Sequence, residues 1–145
     1  MAEPFPSGVR EVGPREAFEL LRSDPDARLV DVRLPSEIEA AGRPSLAALG
    51  KPVLAAPWPA APGMTMEAFM ADIAGGLPAG TPRDAPLLFI CRSGGRSRAA
   101  AELMAALGWA GATNVAHGYS GHPWAPEAGW EGLGLPVEPA AGGGR

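Results

Sequence analysis

The sequence predicts an α/β domain built on a parallel β-sheet with helices on both faces, and three observations predict it. Short apolar runs with strand character, Leu29-Val30-Asp31-Val32, Val53-Leu54-Ala55, Leu87-Leu88-Phe89-Ile90 and Thr113-Asn114-Val115-Ala116, alternate with segments whose apolar residues recur at helical spacing. The run Leu87-Leu88-Phe89-Ile90 is apolar without interruption, which suits a strand buried on both faces rather than one with a wet side. Strands separated by helices are joined by crossovers, so they run parallel and the sheet is covered twice.

The elements follow in order. Pro14 opens the first helix, where a missing N–H is no loss; Ala17, Leu20 and Leu21 make its apolar face, and Ser23-Asp24-Pro25 closes it. The strand at Leu29 carries an acidic residue near its C-terminal end, Asp31, which needs a partner. From Pro35 to about Ala41 the chain should make one or two helical turns, broken by Gly42-Arg43-Pro44. After the strand at Val53, Pro57, Pro59, Pro62 and Gly63 form a stiff connector. Thr65 then caps a helix whose Met66, Phe69, Met70 and Ile73 share one face, and Gly75-Gly76 stops it. Beyond Ile90, the residues Ala100, Leu103, Met104 and Leu107 fall at i, i+3, i+4 and i+7 of another helix, ended by Gly108. A Gly-, Pro- and Trp-rich segment follows the last strand. The domain is expected to span residues 8–138, with 1–7 and 139–145 as flexible termini.

The chain's 145 residues suit one domain, able to bury about two-thirds of its unfolded surface. A hydrophobic fraction of 46% outweighs the 20 glycines and 17 prolines and favours a packed core over low complexity. No stretch reaches the roughly 20 apolar residues of a membrane helix. Met1-Ala2-Glu3-Pro4-Phe5-Pro6 lacks the basic and apolar regions of a signal peptide, so a cytoplasmic location is expected. With a net charge of −4 and no basic tract beyond a single loop, neither nucleic acid nor an anionic membrane is an expected partner.

That loop carries the chemistry. Cys91, the one cysteine, ends the apolar strand and opens Cys91-Arg92-Ser93-Gly94-Gly95-Arg96-Ser97, which leads into a helix. Glycines let backbone N–H groups converge on one point, and a helix N-terminus adds unpaired N–H groups and partial positive charge. Arg92 and Arg96 add full charges, and the combined field favours thiolate over thiol. A free cysteine is ordinarily a small buried hydrophobe. Two glycines and two arginines within five residues have no packing purpose, however, so Cys91 is read as a nucleophile in an anion cradle. Asp31 and Cys91 both lie near carboxyl ends of expected strands, where ligands bind in parallel α/β sheets, and should face one crevice although 60 positions separate them.

These residues resemble the rhodanese-like sulfurtransferases. The resemblance rests on Leu29-Val30-Asp31-Val32-Arg33 with Glu37 following, on Cys91-Arg92-Ser93-Gly94-Gly95-Arg96-Ser97, and on Asn114-Val115 leading through Gly118 to Gly132-Leu133-Gly134-Leu135-Pro136. It implies a parallel sheet of about five strands and a persulfide enzyme. Cys91 would be the catalytic nucleophile, taking the outer sulfur of thiosulfate or a similar donor and passing it to cyanide, a thiol or a protein thiol. Arg92, Ser93, Gly94, Gly95, Arg96 and Ser97 would bind the donor. Asp31, Arg33 and Glu37 would support the loop, the carboxylates by ion pairs to its arginines. No cofactor or metal is implied. Without a second cysteine the sulfur must leave to an external acceptor.

The chain departs from the family pattern in two places. Arg43-Pro44-Ser45-Leu46 stands where many relatives carry His-Ile-Pro-Gly, and residues 117–130 exceed the usual short turn. Two rival functions would use the same cysteine. A phosphatase of related fold resembles its kin in placing five residues between Cys and a phosphate-clamping Arg, whereas four separate Cys91 from Arg96 and the clamp position is Ser97. A sulfur carrier or sensor would share the persulfide and lack turnover. His117 and His122 lack metal-ligand spacing, and Trp58, Trp109, Trp124 and Trp130 suit packing better than base stacking.

Overall fold

The computed structural model describes residues 9–58, 65–122 and 126–140. In chain order its elements are β1 (Arg10–Val12), α1 (Pro14–Ser23), β2 (Arg28–Asp31), α2 (Pro35–Ala41), β3 (Arg43–Pro44), a short 3₁₀ turn (Ala47–Leu49), β4 (Val53–Ala55), α3 (Met66–Gly76), β5 (Leu87–Ile90), α4 (Gly95–Ala106), β6 (Ala112–Val115) and β7 (Val137–Glu138). Five strands form a wholly parallel sheet in the order β1-β6-β5-β2-β4.

The continuous apolar run of β5 puts it at the centre, between β6 and β2. All four of its residues are fully buried. Alternate side chains point to opposite faces. Leu87 and Phe89 pack with Phe69 and Ile73 of α3 and with Ala100, Ala101 and Met104 of α4. Leu88 and Ile90 pack on the other side with Ala17 and Leu21 of α1, Tyr119 and Trp130. Asp31 pairs in register with Ile90, which brings the C-terminal ends of β2 and β5 side by side. Cys91 follows immediately, at the rim where the two strands end.

Several elements differ from expectation. The face of α4 runs through Ser97, Ala100, Ala101 and Met104, while Leu107 is largely exposed. Ser97 sits beside Cys91, and residues three and four further on share its face of the helix. In α3, Phe69 and Ile73 are buried but Met66 is exposed at the first turn. The edge strand β1 has no apolar run to announce it; backbone pairing with β6 forms it. A two-residue antiparallel ladder, Arg43 with Glu138 and Pro44 with Val137, sits where the His-Ile-Pro-Gly stretch of relatives would begin. The strands expected at Leu29 and Thr113 each start one residue earlier, at Arg28 and Ala112. Residues 1–7 and 141–145, Pro59, Pro62 and Gly63 of the connector, and Trp124 lie outside the described residues.

The segment after β6 packs against the site loop through its backbone. Tyr119 N–H donates to Cys91 O and Ser120 N–H to Arg92 O, both at 2.8 Å. Trp130, fully buried, donates its ring N–H to Pro136 O at 2.7 Å and anchors the far end of the segment. Gly118 makes the approach possible: its φ is +58°, and a Cβ there would fall 2.5 Å from Cys91 O and 2.7 Å from Arg92 C. Both neighbours are backbone and cannot move aside. Gly118→Ala should therefore lower the unfolding free energy by about 2 kcal/mol or more, read from urea midpoints at unchanged m; a loss below about 0.5 kcal/mol would contradict this packing.

Candidate active site

Cys91 is 1% exposed, at the mouth of a tight turn from β5 into α4. Gly94 caps the helix at φ +111°, a conformation that L side chains rarely adopt, and its N–H donates to Cys91 Sγ at 3.1 Å. The Ser97 hydroxyl, one turn into α4, lies 3.3 Å from the same sulfur. The sulfur thus faces the Gly94 N–H and the positive end of a helix, with the Ser97 hydroxyl oxygen within reach.

The two loop arginines differ. Arg96 donates in a fork to Glu37, Nη1 to Oε1 at 2.7 Å and Nη2 to Oε2 at 2.8 Å. Glu37 Oε1 also accepts the N–H of Leu34 at 2.9 Å, so one carboxylate joins the start of α2 to the first turn of α4. The hydrogen bonds from Arg96 chiefly hold the Glu37 carboxyl down at about 2, against an ordinary 4.5. Arg92, by contrast, is exposed, and its guanidinium makes no hydrogen bond or ion pair with the described residues. It borders a cavity of about 270 Å³ together with Arg33, Glu37, Ala40, Ala41 and Ser120. Ser93 is half-buried beside Arg92, and Gly95 begins α4 at the surface.

Asp31 does not hold a loop arginine. It pairs with Arg33, two residues on, with Nη2 to Oδ2 at 2.7 Å and Nε to Oδ1 at 3.0 Å, and both side chains are about 2% exposed. A buried guanidinium is costly unless it is paired and further hydrogen-bonded. Arg33 accordingly also reaches Gly42 O at 2.9 Å and lies 4.3 Å from the ring centre of Tyr119, whose hydroxyl donates to Ala41 O. This pair braces the end of α2 against the segment after β6, one layer behind the loop.

Asn114 is the site residue to which the sequence pattern assigned no role. It is 2% exposed; its Oδ1 lies 2.5 Å from Ser97 Oγ, and its Nδ2 donates to Glu11 Oε1 and Gly94 O. The available signal was a polar amide within a strand whose four residues are all buried. His117 abuts the loop through its backbone, its N lying 3.3 Å from where a Cβ at Gly94 would fall, and it borders a cavity with Gly13, Glu16 and Glu127. Among the described residues no three His, Cys, Asp or Glu side chains gather as metal ligands, and no helix is long and apolar enough to cross a membrane. A larger cavity of about 900 Å³, lined by Arg33, Ile38, Arg43, Ala55 and Asp72 among others, includes no residue from Cys91 to Ser97.

Comparison with known proteins places the chain in a family. It belongs to the rhodanese-like domain family, whose model matches residues 14–122. The crystal structure of Rv0390 from M. tuberculosis is 35% identical, with a TM-score of 0.76 over 90% of this chain and 97% of its own. The human single-domain sulfurtransferase TSTD1 is 31% identical, with a TM-score of 0.50 over 77% of this chain and 93% of its own. RPA3614 from Rhodopseudomonas palustris, described as a possible tyrosine phosphatase, is 22% identical with a TM-score of 0.59 over 91% of this chain and 86% of its own, and shares the fold. No curated protein matches the chain.

The Glu37–Arg96 fork has a pH signature. A carboxyl whose folded pKa lies below its unfolded one stabilises the fold above the unfolded value, 4.5, and loses that contribution as pH falls through about 2. The stability difference between the parent and Glu37→Gln should therefore be full at neutral pH, shrink below 4.5 and vanish near 2. Denaturant titrations across that range measure it, and a difference independent of pH would show that the carboxylate charge is irrelevant to the contact.

Proposed function

We propose that the protein is a sulfurtransferase that moves a sulfane sulfur from thiosulfate or a similar anionic donor to a thiophilic acceptor through a persulfide on Cys91. The observation that carries this reading is the unequal state of the two loop arginines. Arg96 is held in a two-bond fork by Glu37, while Arg92, next to Cys91 in the loop, is exposed and makes no hydrogen bond or ion pair with the described residues.

The Cys91 thiolate attacks the outer sulfur of the donor. The Sγ–S bond forms, the donor's S–S bond breaks, and sulfite leaves with the electron pair. Arg92 offers its guanidinium to the donor's oxygens, and the Gly94 N–H and Ser97 hydroxyl face the sulfur as charge passes through it. An acceptor such as cyanide or a thiolate then takes the outer sulfur, and the electron pair returns to Sγ. No external oxidant or reductant enters the cycle. As the lone thiol, Cys91 has no internal partner to resolve the persulfide, so the acceptor is external, a small molecule or a protein thiol. A reducing, cytoplasmic setting suits such a thiol.

Phosphoryl transfer fits the site less well. A phosphatase loop needs a free guanidinium to clamp the phosphoryl oxygens. The corresponding position is Ser97, which carries no guanidinium, and the preceding arginine is held by Glu37. A carrier or sensor would load Cys91 in the same way, and turnover separates it from an enzyme.

Cys91→Ser should abolish thiocyanate formation from thiosulfate and cyanide. Arg92→Ala should raise KM for thiosulfate by about tenfold, the equivalent of one charge-assisted contact, with a smaller change in kcat. Steady-state kinetics checks both. Turnover in Cys91→Ser, or faster hydrolysis of an aryl phosphate than conversion of thiosulfate by the parent, would overturn the proposal.

A further inference from the structure

The hydroxyl of Ser97 stands between two acceptors. Its Oγ is 2.5 Å from Asn114 Oδ1 and 3.3 Å from Cys91 Sγ. A hydroxyl carries one proton and cannot serve both. The orientation of Asn114 is fixed from behind: Nδ2 donates to Glu11 Oε1 at 3.0 Å and to Gly94 O at 3.1 Å, and neither oxygen can accept from the carbonyl end of a flipped amide. Oδ1 therefore faces Ser97. Two oxygens this close require the proton between them.

We propose that Asn114 is a positioning residue that acts through Ser97, keeping the hydroxyl proton turned away from Cys91 until negative charge collects on the sulfur. With a neutral sulfur, as thiol or persulfide, the proton lies on the Asn114 side and the network is closed. No buried side-chain nitrogen or oxygen among the described residues then lacks a partner. With charge on Sγ, the proton rotates to the sulfur and joins the Gly94 N–H there. Asn114 Oδ1, on a residue 2% exposed, loses its donor. Asn114 thus opposes the thiolate and favours the neutral, loaded form.

Applied to sulfur transfer, and resting on that reading, the switch sets how readily the sulfur is released. An acceptor thiolate attacks the outer sulfur, its new S–S bond forms, the bond to Sγ breaks, and the pair returns to Sγ. Only as that charge develops does the Ser97 proton turn toward the sulfur. The contact is made in the transition state and not in the resting persulfide, which is the condition for accelerating the step.

Alkylation of Cys91 by iodoacetamide tests the switch without any sulfur donor, and as the lone thiol Cys91 reports on itself. Rates are compared in the full chain at one pH, chosen where the parent rate still rises with pH. Asn114→Ala should alkylate faster, by about threefold for each tenfold gain in thiolate, because lower basicity also lowers nucleophilicity. Ser97→Ala should alkylate more slowly, and Ser97→Thr, which keeps the hydroxyl, should restore most of the loss. The decisive result is the cycle: in the Ser97→Ala background, Asn114→Ala should change nothing. Independent, additive effects would overturn the proposal, as would slower alkylation in a folded Asn114→Ala variant. Should Asn114→Ala fail to fold, Asn114→Leu, which removes the acceptor and keeps the side-chain volume, takes its place in the cycle. It should speed alkylation in the parent and change nothing with Ser97→Ala, and equal effects in both backgrounds would refute the switch. A protein that follows these expectations yet does not turn over thiosulfate would refute the function proposed above and leave the switch standing.

Discussion

The fork between Glu37 and Arg96 is the contact on which the rest of the site depends. It is short, bidentate and partly shielded, conditions under which an ion pair contributes more than the small amount typical of exposed pairs. Because Glu37 also takes the Leu34 N–H, the fork ties the start of α2 to the first turn of α4. That tie fixes the rotation of α4, and the next residue after Arg96 is Ser97, whose hydroxyl then faces the sulfur. The same rotation turns Ala100, Ala101 and Met104 onto the sheet, so packing and chemistry require one register of the helix.

A second consequence concerns charge. Glu37 holds Arg96, whereas Arg92 makes no hydrogen bond or ion pair with the described residues. The other carboxylate, Asp31, is neutralised by Arg33 and buried with it. The two acid–arginine pairs therefore divide the work: one sets the loop, and the other braces the wall formed by α2, Gly42 and Tyr119. Both leave the sulfur in a field made of the Gly94 N–H, the helix end and Arg92, a balance suited to a small anion.

What the sequence revealed and what it hid have physical reasons. An unbroken apolar run flanked by helical periodicity can hardly be anything but the central strand, so β5 and the turn that follows it were legible, and Cys91 with them. Loop composition marked the turn itself, in which Gly94 takes φ +111° and Arg96 joins Glu37. The partner of Asp31 was hidden because two-residue spacing at a strand end favours a local pair, whereas the expectation looked to distant loop arginines. On α4, Ala100, Leu103 and Met104 pack as the spacing predicts, whereas Leu107, at the end of the helix, is exposed and Ser97 and Ala101 join the buried face. The edge strand β1 and the separate β3–β7 ladder carry no apolar pattern, being defined by backbone pairing with β6 and with each other. Asn114 stood in plain view as a polar residue in a buried strand, but its role exists only in three dimensions, where Glu11, Gly94 and Ser97 meet it.

The central claim is that sulfur travels covalently on Cys91. The mass of the intact protein after incubation with thiosulfate and removal of excess donor tests it most directly. The account predicts a gain of one sulfur atom, reversed by added cyanide. An unchanged mass in a preparation that converts thiosulfate and cyanide to thiocyanate would contradict it, because the sulfur would then pass between donor and acceptor without resting on the protein.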